Sequence, residues 1–190
     1  MRTIELVAGS FGGINLEDIA APRCFEIEEK LKQRLDIPVF HDDQHGTAVV
    51  TAAALLNALR VVGKDPANVR VVVNGAGAAG TACTKLLLDL GIGQVIVCDR
   101  QGALVPDLAD MTPAQEALAA ITNPQKLSGT LADVLCGADV LMGFSAPHCV
   151  TGDMVRTMAS DAIVFACANP TPEIDPQEAL RAGARIVGTG

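Results

Sequence analysis

The sequence predicts an α/β fold with a doubly wound parallel sheet, formed as a single domain. The chain has 190 residues, of which 49% are hydrophobic, and this is enough for one compact core. Residues 69–73 form a largely β-branched run, typical of a strand buried on both faces, and a glycine-rich turn then leads into a segment with helical spacing. Short apolar runs alternate with helical segments through the rest of the chain, which favours a parallel sheet covered by helices on both faces.

The predicted elements follow one another in regular order. Strands are expected at residues 69–73, 94–98, 139–142, 162–167 and 185–187, and helices at residues 81–90, 112–121, 131–136, 152–158 and 176–182. Before them we expect a charged amphipathic helix at residues 22–35, a short strand at 38–40 and an apolar helix at 47–62. The last strand is followed only by Gly188, Thr189 and Gly190, so we expect this doubly wound domain to be truncated at its C-terminal end.

The glycine-rich turn has the spacing GxGxxG and stands between a predicted strand and a predicted helix. It consists of Gly75, Ala76, Gly77, Ala78, Ala79 and Gly80. The glycines permit a tight turn and a close approach of the backbone to a pyrophosphate, and the N-terminus of the helix offers unpaired N–H groups. The alternative is a glycine turn without a ligand. We predict a Rossmann-type domain at residues 47–190 that binds NAD or NADP.

Asp99 lies at the end of the second predicted strand, about 20 residues beyond the glycine turn. Its carboxylate could accept hydrogen bonds from a ribose diol, which would favour NAD. The neighbouring Arg100 could instead hold the 2′-phosphate of NADP, and a solvated carboxylate at a strand end is a third reading. The choice between the two dinucleotides therefore stays open.

Two acidic pairs stand in segments that are otherwise poor in charge. Glu17 and Asp18 form the first pair, and Asp42 and Asp43 form the second. Adjacent carboxylates repel one another, and a divalent cation compensates them; ligation by oxygen alone suits Mg²⁺ or Mn²⁺. Helix or turn capping is the alternative for each pair taken separately. We accordingly treat residues 1–46 as a metal and active-site segment that leads into the fold.

Composition excludes several classes of function. The net charge of −8, the absence of Trp and Tyr and the presence of only five Phe disfavour nucleic-acid binding. No uninterrupted apolar run reaches about 18 residues, so we expect no contact with a membrane. The six cysteines show no CxxC spacing and lie mostly in apolar stretches, which is typical of a protein in a reducing cytoplasm.

Four segments together resemble the signature series of bacterial malic enzymes. They are FGGINLEDI at residues 11–19, IPVFHDDQHGTA at 37–48, VVNGAGAAG at 72–80 and ANPTPEI at 168–174. The resemblance implies an NAD(P)-dependent oxidative decarboxylase that converts malate to pyruvate and CO₂, and that forms a homo-oligomer such as a dimer when complete. It also implies that Glu17, Asp18 and Asp43 bind Mg²⁺ or Mn²⁺, and that Asp42 assists the general base. Residues 75–80 would cradle the cofactor phosphates, and Asn169 would contact the nicotinamide ribose or the substrate.

The chain departs from the family pattern in its acid and base. The family uses a tyrosine acid and a lysine base, whereas this chain has no tyrosine, and none of its lysines stands in a segment that resembles the lysine motif. We therefore expect the isolated chain to bind dinucleotide but to turn over malate negligibly. Two alternatives stay open: a non-catalytic NAD(P)-binding module or truncated regulatory fragment, and another two-domain dehydrogenase, such as an amino-acid dehydrogenase.

Overall fold

The computed structural model describes all 190 residues and opens with a small N-terminal unit. In chain order this unit contains helix α1 (Arg2–Val7), strand β1 (Ile14–Leu16), helix α2 (Arg23–Arg34) and strand β2 (Val39–His41). The strands β1 and β2 pair in parallel, and their apolar side chains pack with Leu31 of α2 in a small core. Helix α2 and strand β2 were predicted to within a residue or two, whereas α1 and β1 were not predicted.

A long helical segment connects this unit to the main sheet. A π-helical turn (Asp42–Gly46) runs directly into α3 (Thr47–Val62), and Gly63 ends the helix in the left-handed conformation. Residues 42–62 are long and apolar enough, by length and composition, to cross a membrane, although core helices meet the same criterion. Leu55 and Leu59 of α3 are buried against the sheet.

The main sheet has six strands, and helices cover both of its faces. The remaining elements are β3 (Arg70–Asn74), α4 (Ala78–Asp89), β4 (Gln94–Asp99), β5 (Gly102–Ala103), α5 (Pro113–Ile121), α6 (Leu131–Leu135), β6 (Val140–Gly143), α7 (Gly152–Arg156), β7 (Ile163–Ala166), α8 (Pro176–Arg181) and β8 (Ile186–Thr189). The strand order is β5-β4-β3-β6-β7-β8, and all pairs except β4 with β5 are parallel. The predicted doubly wound α/β fold is confirmed.

The alternation of side chains along the strands divides the interior into two cores. Val71 and Val73 point to the face covered by α3, α4 and α5, while Val72 points to the face covered by α6, α7 and α8. The order of the strands reverses at β3, because the chain adds β4 on one side and then crosses to add β6 on the other. Ligands of such sheets bind in the crevice at the carboxyl ends of the strands at this reversal.

One detail of the predicted sheet was wrong. The prediction had five parallel strands, whereas a sixth strand, β5, pairs antiparallel with the end of β4 through Cys98 and Ala103. This strand has only two residues, so it is too short to produce a periodic pattern in the sequence.

Candidate functional site

The small sheet brings the two acidic pairs side by side. Leu16 at the end of β1 is in register with His41 at the end of β2, and the strands are parallel. The residues that follow the two strands therefore emerge at the same edge, with Glu17 and Asp18 beside Asp42 and Asp43. Parallel pairing of two short strands is thus the reason why carboxylates 25 positions apart in the chain meet in space.

Three of these four carboxylates, those of Glu17, Asp18 and Asp43, converge on one point and form the acidic group. Oxygen atoms of Glu17, Asp18 and Asp43 all lie within 4.8 Å of one another. Two oxygens bound to one Mg²⁺ at about 2.1 Å lie at most about 4.2 Å apart, so small side-chain movements would close the group around a cation. Glu17 and Asp18 are exposed and Asp43 is half-buried, so the group is open to solvent. The donor set is all oxygen, which fits Mg²⁺ or Mn²⁺.

Capping does not account for Asp43. Neither the π-helical turn nor α3 has a side-chain hydrogen bond at its N-terminus. The carboxylate of Asp43 instead pairs with Nε2 of His41 at 3.1 Å. Asp18 has a positive φ of 54°, and its carboxylate makes no hydrogen bond within the chain. The capping alternative is therefore unsupported for both residues.

Asp42 is adjacent to these three carboxylates in the fold but is not one of the converging group. Its side chain folds over Gly46, where its carboxyl group would collide with any added Cβ atom. It is exposed, and it does not line the cleft that Asp18 and Asp43 share with the ends of the main strands. The assistance to a general base that the family resemblance implies for Asp42 stays a prediction.

A cleft of about 490 Å³ joins the acidic group to the main sheet. Its walls come from the acidic edge (Asp18, Asp43), the first turn of α4 (Ala78, Ala79), the loop after β6 (Phe144, Ser145) and the loop after β7 (Cys167, Ala168, Asn169). The predicted cofactor residue Asn169 therefore shares a cleft with two of the predicted metal ligands. The position is the crevice expected at the reversal of strand order.

The glycine turn has the geometry that the sequence predicted. Gly75 has a φ of 122°, which residues with a side chain rarely adopt, and a Cβ there would come within 2.5 Å of the carbonyl oxygen of Phe144. Gly80 packs directly against the carbonyl of Gly75, which leaves no room for a side chain. A Cβ at Gly77 would meet nothing within 4 Å, so this glycine faces open space in front of α4.

A second cleft, of about 480 Å³, continues on the other side of the glycine turn. It is lined by Gly75, Ala76, Gly77, Asp99, Arg100, Gln101, Gln115, Ser145 and Ala146, so Ser145 belongs to both clefts. The carboxylate of Asp99 accepts hydrogen bonds from the backbone N–H of Gln101 at 2.8 Å and from Nε2 of Gln115 at 2.6 Å. Both Asp99 and Arg100 face this cleft, so the geometry leaves the choice between NAD and NADP open.

Glu173 is a residue of the site that the sequence reasoning missed. Its side chain is fully buried, and it has no cationic partner. One carboxylate oxygen accepts the backbone N–H of Ser145 at 2.9 Å, and the other accepts that of Ala168 at 3.0 Å. The side chain therefore connects the loop after β6 to the loop after β7, and both loops form part of the wall of the first cleft. An acidic residue inside the segment ANPTPEI was the available signal.

Gln115 and Gln44 were missed as well. Gln115 closes a capping box with Thr112 at the start of α5 and uses its amide nitrogen to hold Asp99. Gln44 is buried between Glu28 and His41, below the acidic group. Gln115 holds a residue that faces the second cleft, whereas Gln44 contacts two buried residues, and in both cases only the folded chain brings the partners together.

Comparison with known proteins identifies the family. The sequence model described as the NAD-binding domain of malic enzyme matches residues 44–190. The chain belongs to the malic enzyme family. It is 54% identical over its whole length to an NAD-dependent malic enzyme from Geobacillus stearothermophilus, of which it covers 40%. It is also 50% identical to a bifunctional malic/malolactic enzyme from Bacillus subtilis, again over its whole length, and covers 47% of that protein.

Solved malic enzymes have the same fold. The crystal structure of an NAD-dependent malic enzyme from Thermotoga maritima superposes with a TM-score of 0.96 at 48% identity, over 100% of this chain and 51% of that one. The chain thus spans about half, or less, of the malic enzymes that it matches. The predicted malic enzyme family and its nucleotide-binding domain are confirmed, which decides against an amino-acid dehydrogenase.

Proposed function

We propose that this chain provides the dinucleotide-binding and metal-binding wall of an enzyme that oxidatively decarboxylates malate to pyruvate and CO₂. The observation that carries the proposal is the position of Asp18 and Asp43, which line the same cleft as Asn169 and the first turn of α4. A cation held there would stand next to a nicotinamide ring bound across the ends of the strands. A dehydrogenase without a metal would have no need of such an acidic edge.

The residues of the chain divide the work of binding. Backbone N–H groups at the start of α4 would bind the pyrophosphate, with Gly77 leaving room for its close approach. Asn169 would orient the nicotinamide ribose or the substrate from the loop after β7. Glu17, Asp18 and Asp43 would hold Mg²⁺ or Mn²⁺. When bound, the cation would act as a Lewis acid towards the oxygens of malate, and the nicotinamide would accept the hydride.

The tyrosine acid and the lysine base that the family resemblance implies are missing from the cleft of this chain. The chain contains no tyrosine, and no lysine lines the first cleft. Asp42, which the family resemblance makes an assistant of the base, stands next to the acidic group but outside the cleft wall. We therefore propose that the isolated chain binds cofactor and metal but turns over malate negligibly. We also retain the proposals of a cytoplasmic location and of a homodimer for the complete protein.

The test is a titration followed by an assay. Calorimetry with Mn²⁺ should show one binding site, which Asp18→Asn and Asp43→Asn each weaken at least about tenfold, because each removes a charged ligand. Asp36→Asn, at an exposed carboxylate away from the cleft, is the matched control and should leave binding unchanged. Titrations with NAD and NADP should show dinucleotide binding to the same chain.

A second function is favoured by one observation, the lack of a tyrosine and of a cleft lysine. On that basis the chain would be a non-catalytic module that binds NAD(P) alone. Dinucleotide binding without any Mn²⁺ site would support this module and contradict the metal-dependent enzyme. Malate-dependent reduction of NAD(P) by the isolated chain at the rate of a complete malic enzyme would contradict the proposed lack of turnover.

A further inference from the structure

Hydrogen bonds connect a series of buried polar side chains between helix α2 and the acidic group. Nε2 of Gln44 lies 3.1 Å from Oε2 of Glu28 and 2.8 Å from Nδ1 of His41. Nε2 of His41 in turn lies 3.1 Å from Oδ2 of Asp43. Glu28 and Gln44 are buried and His41 is fully buried, so the two contacts of Gln44 are shielded from water, whereas the contact of His41 with the half-buried Asp43 is partly exposed. The chemistry of these four side chains shows which atom donates each hydrogen bond.

Glu28 fixes the orientation of the Gln44 amide. Burial raises the pKa of Glu28, but the hydrogen bonds and charges of Lys32 and His45 outweigh burial and lower it below its ordinary value. The carboxylate is therefore ionised and can only accept hydrogen bonds. The group of Gln44 that faces it must be the amide NH₂, which has two N–H donors. One N–H goes to Glu28, and the other is directed at His41.

Gln44 then fixes the tautomer of His41. Because Gln44 donates to Nδ1, this ring nitrogen must carry a lone pair, and the ring proton must be on Nε2. The Nε2–H donates to Oδ2 of Asp43. The other carboxylate oxygen of Asp43 has no hydrogen-bond partner within the chain. Each donor among these side chains thus has an acceptor, and the last acceptor is the carboxylate of Asp43.

We propose that His41 is a positioning residue, which holds one oxygen of Asp43 so that the other faces Glu17 and Asp18 as a ligand for a divalent cation. This inference rests on the metal site of the proposed function. Partners that orient ligands typically contribute about 10-fold to 100-fold to metal affinity. The Nε2–H also offsets part of the repulsion between Asp43 and its two neighbours before a cation binds. Since β2 fixes the backbone of His41, the position of Asp43 is set by the fold.

A purely structural histidine would satisfy the same buried contacts without any effect on the metal. The two roles differ in what replaces the ring. His41→Gln offers an N–H at the position of Nε2 and an oxygen that accepts from Gln44, whereas His41→Phe fills the space and offers neither. His148→Gln is the matched control, because His148 is exposed and makes no side-chain hydrogen bond.

The first measurement is the nitrogen–proton correlation spectrum of the imidazole rings in the ¹⁵N-labelled chain. The chain has three histidines, so assignment by substitution is direct. We expect one ring with a protonated Nε2 and an unprotonated Nδ1, whose signals disappear in His41→Gln. A His41 ring with its proton on Nδ1 and none on Nε2 would overturn the inference, because Nε2 could then not donate to Asp43. This measurement needs no metal, and it does not depend on whether His41→Phe folds.

The second measurement is Mn²⁺ affinity by electron paramagnetic resonance, with circular dichroism as the check on folding. We expect His41→Phe to weaken Mn²⁺ binding about 10-fold to 100-fold, His41→Gln to stay within about threefold of the natural chain, and His148→Gln to be unchanged. Equal affinity of His41→Phe and the natural chain would overturn the inference and leave the proposed metal site intact. Absence of Mn²⁺ binding by the natural chain would instead contradict the proposed function, and the inference with it.

Discussion

The buried carboxylate of Glu173 accepts the backbone N–H of Ser145 at 2.9 Å, and this bond joins the loop after β6 to the loop after β7. Its other oxygen accepts the N–H of Ala168, next to Asn169. Gly143 leaves the space for this side chain, since a Cβ there would lie 2.6 Å from Oε1 of Glu173. A buried carboxyl group with two backbone donors and no cationic partner thus shapes the wall of the cleft.

Glu173→Gln should destabilise the chain by about 1–3 kcal/mol, because one of its ends becomes an NH₂ that faces a backbone N–H. The affinity for NAD should fall as well, since Ser145 and Ala168 line the cleft. Urea denaturation with a parallel NAD titration measures both effects. Glu29→Gln, at an exposed position on α2, is the control that should change neither. Unchanged stability of Glu173→Gln would show that the two bonds contribute little.

Two glycines of the turn should separate folding from binding. Gly80→Ala should destabilise the chain by about 1–3 kcal/mol, because its Cβ would overlap the carbonyl of Gly75. Gly77→Ala should change stability by less than about 1 kcal/mol, because its Cβ meets only open space. The same methyl group should weaken NAD binding about tenfold or more by obstructing the pyrophosphate. Normal NAD affinity of Gly77→Ala would place the phosphates elsewhere.

Asp99 should set the preference between the two dinucleotides. Asp99→Asn removes a negative charge from the second cleft, so NAD binding should weaken about tenfold while NADP binding holds or improves. The comparison of the two dissociation constants by calorimetry measures this preference. Asp89→Asn, exposed at the end of α4 and outside both clefts, serves as the control. Equal losses for NAD and NADP would remove Asp99 from the determinants of specificity.

Cys167, the cysteine that lines the first cleft, should react slowly with alkylating reagents. Burial raises the pKa of Cys167 to about 11 and that of Cys83 to about 11, and it raises the pKa of Cys98 to about 12. At pH 8 a thiol with a pKa near 11 is about one part in a thousand thiolate, which is the reactive form. Cys136 is exposed, so iodoacetamide should label it first. Rapid labelling of Cys167, read by mass spectrometry, would contradict the raised pKa of its thiol.

The sequence was informative where a local pattern and a local structure coincide. The predicted strands and helices of the main sheet lie within a few residues of the observed ones because buried strands are apolar runs and their helices follow at helical spacing. The glycine turn was predicted for the same reason, since strand, turn and helix are neighbours in the chain. The boundary that we drew between residues 46 and 47 stays a prediction.

The features that the sequence did not predict depend on contacts between distant parts of the chain. Strand β1 has only three residues, and its pairing with β2 depends on the fold of the intervening α2. The roles of Glu173 and Gln44 come from burial beside partners that the sequence does not place next to them. The convergence of Glu17, Asp18 and Asp43 came from the family resemblance, because spacing alone left capping open as an explanation.

The central claim is that a cation bound by these three carboxylates stands beside the nicotinamide end of the dinucleotide. The most direct test is the paramagnetic broadening of NAD proton resonances by Mn²⁺ in the presence of the chain. We expect the nicotinamide protons to broaden more than the adenine protons, and Asp43→Asn to abolish the difference. Equal broadening at both ends, or stronger broadening of the adenine protons, would contradict the account.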